Sequence, residues 1–190
     1  MKTRESGMPD EELWRTFFDP AMIFDRLGLR PECESVVDFG AGYGTFSLAA
    51  AGRIVGTVHA FDIDPELVAA VTHAARALGL DRLQVVDRDF VEQGTGLPDR
   101  SVDYAMLFNI LHAAEAPSLL AEARRILRPD GLLAVIHWNY DPTTPRGPSM
   151  AIRLRPEECR NLVAAADFEP GLILDLPPYH YGFTAKPNAE

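Results

Sequence analysis

Three glycines at alternate positions, Gly40, Gly42 and Gly44, follow an apolar run that carries Asp38 in VVDFGAGYGTF. A strand, a glycine-rich turn and a helix together bring backbone N–H groups and a helix N-terminus to a ligand. The missing side chains let that ligand come close. The dinucleotide fingerprint is G-x-G-x-x-G, but Thr45 stands where its third glycine belongs, and the pattern is D-x-G-x-G-x-G. A carboxylate at the lip of such a loop repels a pyrophosphate and favours a ligand with an ammonium or sulfonium charge. Asp62, closing the next apolar run in HAFDID, is placed to accept hydrogen bonds from both hydroxyls of a ribose. A turn alone does not need three glycines so closely spaced.

A second group of residues lies at the ends of later apolar runs: Asn109 and His112 in FNILH, and His137 with Trp138 in LLAVIHW. Ligands of open parallel sheets bind beyond the C-terminal ends of the strands, so these side chains face the right way. Histidine is the residue type best suited to take a proton near neutral pH. His112 is the first candidate for a base or polar contact, with Asn109 beside it and His137 behind. The competing readings are a capping or packed His112 and a core His137. His59, inside a strand, and His73, inside a helix, have little claim to chemistry. Cys33 and Cys159 are far apart and lack a metal-ligand spacing, so neither a disulfide framework nor a metal site is expected.

The elements that must position these groups alternate. SVVDF, TVHAFD, RLQVVD, VDYAMLFN and LLAVIHW read as strands, separated by helical patterns. In DPELVAAVTHAARALG, Asp64 is a cap, Pro65 a first-turn residue and Gly79 a stop. PSLLAEARRIL repeats the logic and ends in a Pro129-Asp130-Gly131 turn; a last helix is expected from Pro156 to about Ala166. GLILDL and HYGFTAK, divided by Pro177-Pro178, read as an antiparallel pair, with Tyr179, His180 and Tyr181 as a packed aromatic corner. The expected fold is α/β: a Rossmann-like, doubly wound, mostly parallel seven-stranded sheet with an antiparallel C-terminal strand pair. Residues 1–30 form a helical arm covering the active site, broken at Asp19-Pro20, and residues 31–190 form the sheet domain. The proline-rich stretch 141–149 is a long loop after the fifth strand.

Composition narrows the partners. The 190 residues are 47% hydrophobic and 24% charged, with a net charge of −10 and no basic block, which argues against a nucleic acid. No apolar run is long enough to span a bilayer, and the start has no apolar leader, so a cytoplasmic protein without a membrane partner is expected, as monomer or homodimer.

In their order, these motifs resemble the class I S-adenosylmethionine-dependent methyltransferases of the small-molecule type, over nearly the whole sheet domain. VVDFGAGYG is similar to the family's first motif and HAFDIDPELV to its ribose-binding strand. VVDRDF with LPDRSVDYAMLFNILH is similar to the adenine-binding turn and fourth strand, and LLAEARRILRPDGLLAVIHW to the helix and strand that follow. The resemblance implies S-adenosylmethionine as cofactor and S-adenosylhomocysteine as product. It places Asp38, Gly40 and Gly42 at the methionine end with Tyr43 beside them, counts Ala41 and Asn109 among the cofactor-binding residues, and sets Asp62 on the ribose. Asp89 then meets the adenine amine, with Ile63 and Phe90 against the base. VEQGTG after Asp89 is longer than the usual spacing, which leaves Asp87 as the alternative acid. Methyl transfer from a sulfonium is an in-line displacement in which the protein orients and desolvates, so an essential catalytic side chain need not exist. The implied acceptor is a small molecule, held between the arm and the 141–153 loop. The Pro-Pro-Tyr of amide methyltransferases follows the fourth strand, where this chain reads NILH. A nicotinamide-dependent oxidoreductase and a non-catalytic S-adenosylmethionine-binding domain are the alternatives.

Overall fold

The apolar runs line up side by side in the computed structural model, which describes residues 9–189. Strands β1 (Ser35–Phe39), β2 (Thr57–Asp62), β3 (Leu83–Asp87), β4 (Val102–Phe108) and β5 (Leu127–Trp138) are parallel. The short strands β6 (Phe168–Pro170) and β7 (Leu174–Leu176) both pair antiparallel with β8 (His180–Pro187), which itself lies antiparallel to β5. The sheet order is β3-β2-β1-β4-β5-β8-β6, with β7 also on β8. The chain leaves β1 in both directions, toward β2 and toward β4, so the C-terminal ends of β1 and β4 flank the crevice where such sheets take ligands.

Helices cover both faces because the central strands are apolar on both sides. Along β4, Tyr104, Met106 and Phe108 join one core while Val102, Ala105 and Leu107 join the other. The first core takes α3 (Thr45–Arg53), α4 (Pro65–Ala77) and the arm, made of α1 (Glu11–Arg15) and α2 (Pro20–Arg26). The second takes α5 (Phe90–Gln93), α6 (Ala116–Ile126) and α7 (Pro156–Ala164). Caps follow the sequence: Asp19 accepts from the Met22 N–H, and Asp64 from the Glu66 N–H. The first eight residues of the expected arm lie outside the described residues. The described part cannot hide its own aromatics and lays them on the sheet, Phe17 and Phe18 becoming buried beside Trp138 and Phe46.

Two departures from the sequence reading concern strands. The antiparallel C-terminal pair is present, and β6 adds an eighth strand, three residues too short to carry an alternation. β5 also begins earlier than LLAVIHW: Leu127 pairs with Val102 before the register jumps to Leu132 opposite Tyr104, so the Pro129-Asp130-Gly131 turn is looped out inside the strand.

Candidate functional site

The glycine loop is moored to the end of β2. Gly40 and Ala41 both donate their N–H to the Phe61 carbonyl at 2.9 Å. The Gly42 N–H donates to Asp62 Oδ2 at 2.7 Å, and the Asp64 N–H to Oδ1 at 3.0 Å. The glycines do different work. Gly40 is exposed at φ +80°, and a Cβ there would meet Ile110 Cδ1 at 3.3 Å and the Phe90 ring at 4.0 Å, so the loop presents bare backbone at this point. Gly44, at φ +76°, is the N-cap of α3, and a Cβ there would collide with both Val71 methyls at 2.8 and 2.9 Å. Its smallness serves the packing of α4.

Asp38 lies beneath the loop instead of at its lip, 3% exposed, and accepts a hydrogen bond from the Ser47 hydroxyl on α3. Burial pushes its carboxyl up to about 6, against the Ser47 bond, with the Asp62 charge adding to the rise. Tyr43, half-buried, donates its hydroxyl to the Pro9 carbonyl at 2.9 Å and so ties the loop to the start of the arm.

Beyond Asp62, Ile63 is 39% exposed, an apolar side chain left at the surface next to the loop's anchor. Asp87 stands opposite Asp62 in the β2–β3 register and is exposed. Asp89 instead caps α5, its Oδ1 accepting from the Val91 and Glu92 N–H groups, and Phe90 is buried against Phe39. The extra residues after Asp89 are pinned. Arg88 donates to the Gly94 carbonyl, and Glu122 on α6 accepts from both the N–H and the hydroxyl of Thr95 at 2.6 Å.

At the end of β4 the chain turns sharply. Asn109 adopts φ +57° and donates its N–H to the Ile136 carbonyl at 2.8 Å, but its side-chain Oδ1 and Nδ2 are buried without a partner among the described residues. Nδ1 of His112 and Nε2 of His137 are in the same condition, the two rings 5.6 Å apart. Burial lowers the His112 pKa, as does the Arg153 charge; burial brings His137 down to about 4, with His112 and Arg153 adding to the effect. Both rings are therefore neutral at pH 7. Asn109, His112 and His137 are thus brought to one end of the sheet, and His137 is a core histidine with an unmet nitrogen.

One residue of this region, Arg153, escaped the sequence reading, and another, His180, sits packed among aromatics as expected. Arg153, 7% exposed, donates to the carbonyls of Asn139, Asp141, Arg146 and Pro148 and to the Thr144 hydroxyl, which organises the proline-rich loop. His180 is completely buried between Phe18 and Trp138, with neither ring nitrogen partnered. A histidine among aromatics in PPYHYGF was the available signal for the second; the first had none, since its partners are carbonyls placed only by the folded loop.

Comparison with known proteins completes the description. A family model described as a methyltransferase domain matches residues 36–131, from β1 into β5. Among curated proteins, an uncharacterized 37.1 kDa protein in transposon TN4556 of Streptomyces fradiae is 32% identical over 161 residues, 78% of this chain and 45% of that one. The ribosomal protein L11 methyltransferase of Methylococcus capsulatus is 40% identical over 102 residues, 53% of this chain and 32% of that one. The chain thus spans less than half the length of these two curated relatives. Among solved structures, a SAM dependent methyltransferase from Aquifex aeolicus superposes with a TM-score of 0.81 at 26% identity, over 93% of each chain.

Proposed function

Since this chain belongs to the methyltransferase domain family and shares over 93% of its length the fold of an S-adenosylmethionine-dependent enzyme, we propose that it transfers a methyl group from S-adenosylmethionine to a small-molecule acceptor. The observation that carries the reading is the glycine loop itself: exposed Gly40, whose missing Cβ would press on Ile110, stands on a loop held by the Asp62 carboxylate, and the unmet Asn109 amide ends the neighbouring strand β4. Its donor set suits a nucleoside with an amino-acid tail: a carboxylate for the ribose, an exposed Ile63 for the base, and a side-chain amide for the polar tail. The cofactor supplies an activated methyl on a sulfonium, and the chain's residues do the rest. Asp62 orients the ribose while holding the loop through Gly42. Asp38, with a carboxyl raised toward neutrality, firms the loop through Ser47 and becomes more acidic when a positive charge settles above it. Asn109 orients, and neutral His112 holds at Nδ1 the proton that a hydroxyl acceptor gives up.

The small-molecule acceptor is favoured by the covered end of the sheet, where Phe18 is 8%, Trp138 3% and His180 0% exposed. A small ring can take the place of a single arm side chain, whereas an extended polypeptide would need the whole arm to lift. The relative that acts on ribosomal protein L11 supports a protein acceptor as the second reading, over the 53% of this chain that it matches. The nicotinamide reading is displaced by the family match.

Calorimetric titration with S-adenosylmethionine, S-adenosylhomocysteine and NAD tests the proposal, and preferential binding of NAD refutes it. Asp62→Ala is expected to weaken S-adenosylhomocysteine by on the order of 100-fold, the loss of two hydrogen bonds to a charged acceptor. Unchanged affinity removes Asp62 from the site. A radiolabelled methyl screen over metabolites, with ribosomal protein as the competing substrate, then decides the acceptor, and labelling of protein alone overturns the small-molecule reading.

A further inference from the structure

Resting on the reading of a small-molecule acceptor, we infer that His180 binds that acceptor, through a hydrogen bond between a ring nitrogen and an oxygen carried by an aromatic or conjugated ring. His180 opens β8 beside the end of β5, pairing with Trp138, at the same end of the sheet as the glycine loop and Asn109. A neutral imidazole has one donor and one acceptor. Here both nitrogens are buried and unmet, although the ring is 0% exposed. Its faces are satisfied: the Phe18 ring lies 4.5 Å away at 34° and the Trp138 indole 4.3 Å away at 45°. A phenylalanine would supply the same packing without two stranded polar atoms, and such a replacement is neutral or stabilising when packing is the only duty. Among the described residues the nitrogens have no partner, and a bound ligand can supply one.

The surroundings define that partner. Phe17 packs edge-on against Trp138 at 5.5 Å and against Tyr179 at 5.6 Å, and Trp14 lies 6.4 Å from Trp138, so the walls offer ring faces and edges to a flat ligand. The charged and titratable groups acting on His180 are His137 and Arg153, whose guanidinium sits 6.0 Å over the Trp138 ring. The Arg153 charge disfavours an ammonium, whereas a hydroxyl, phenolate or carbonyl oxygen is welcome in its field. Phe18 and the arm lie over the ring, and the Tyr43 to Pro9 hydrogen bond fastens the arm to the cofactor loop. The acceptor thus reaches His180 by taking the place of Phe18. His180 positions the ring and leaves proton transfer to His112.

The test uses the full chain saturated with S-adenosylhomocysteine, with histidine ring nitrogens labelled for NMR, and phenol and benzylamine as probes. Phenol is expected to shift the ring resonances that vanish in His180→Phe, and benzylamine to leave them in place. His180→Phe is expected to bind phenol about tenfold more weakly, the loss of one hydrogen bond. It should keep its affinity for S-adenosylhomocysteine and melt no lower than wild type. His180→Asn, which retains a donor and an acceptor, serves as second variant should the first fold poorly, and is expected to recover part of the phenol binding. Equal phenol affinity in wild type and the folded variant, no phenol-dependent shift, or benzylamine binding as tightly as phenol overturns the inference. Failure of the wild type to bind S-adenosylhomocysteine overturns the underlying reading instead.

Discussion

Adding one methyl group to Gly40 or to Gly44 separates the two duties of the glycine loop. Both residues have positive φ, where an L side chain costs about 1–2 kcal/mol. At Gly44 the new Cβ falls 2.8 and 2.9 Å from the two methyls of Val71, which is buried in α4, β-branched and stiff, so it cannot swing aside. Overpacking of this kind adds about 1–3 kcal/mol, for a total of about 2–5 kcal/mol. At Gly40 the nearest atom is the tip of Ile110, 3.3 Å away on a half-buried side chain, and only the backbone cost remains. In urea, with a slope of about 2 kcal/mol/M, Gly44→Ala shifts the unfolding midpoint down by about 1–2.5 M and Gly40→Ala by less than about 1 M. Titration with S-adenosylhomocysteine reverses the ranking: Gly40→Ala loses affinity by about tenfold or more because its methyl stands on the exposed face of the loop proposed to meet the ligand. Adding Val71→Ala to Gly44→Ala should recover part of the lost stability, the mark of a direct clash. Equal midpoints for the two single variants, or tight binding by Gly40→Ala, would refute this division of labour.

Acid should weaken the fold through its histidines. His137 and His180 titrate near 4 and 3 when folded and near 6.5 when unfolded, so below pH 6.5 the unfolded chain binds protons first and each ring costs about 1.4 kcal/mol per pH unit. Asp38, raised to about 6, works the other way between pH 6 and 4, since its folded form binds the proton first. The net loss from pH 7 to 5 is about 2–3 kcal/mol; a melting temperature that holds or rises over that range contradicts it, and His180→Phe should flatten the slope. Arg153→Met keeps the aliphatic stem beneath the loop but removes its donors, and should cost about 3 kcal/mol while opening residues 139–153 to hydrogen exchange and protease. Exchange in that segment unchanged from wild type would show that the loop holds itself.

The sheet and the glycine loop at its end were legible because their signals are local. A strand of alternating faces, a glycine turn and an acid at the next strand's end lie within a few dozen residues, and Asp19 and Asp64 cap the helices they precede. What stayed hidden depends on chain segments far apart. That Asp38 is buried follows from α3 folding back over β1, and that Gly44 answers to Val71 follows from α4 packing on α3's start. The looped-out Pro129–Gly131 segment is set by Leu127 finding Val102 across the sheet. Arg153 binds carbonyls, which every residue has, so no residue type could announce it.

β8 carries a consequence for how the molecule is made. The strand formed by some of the last residues of this sequence does not sit at a margin; it lies between β5 and β6, with β7 also paired to it, and Phe183 and Ala185 fill the core there. While translation is under way, β5 must wait with an open, apolar flank, and Trp138 lacks His180 beside it for the arm to close against. The glycine-loop end can form early, from segments close in sequence, whereas the other end is completed only once β8 has been made. Deleting residues from His180 onward would therefore remove an interior strand, and expression of such a fragment should yield aggregate instead of a trimmed enzyme.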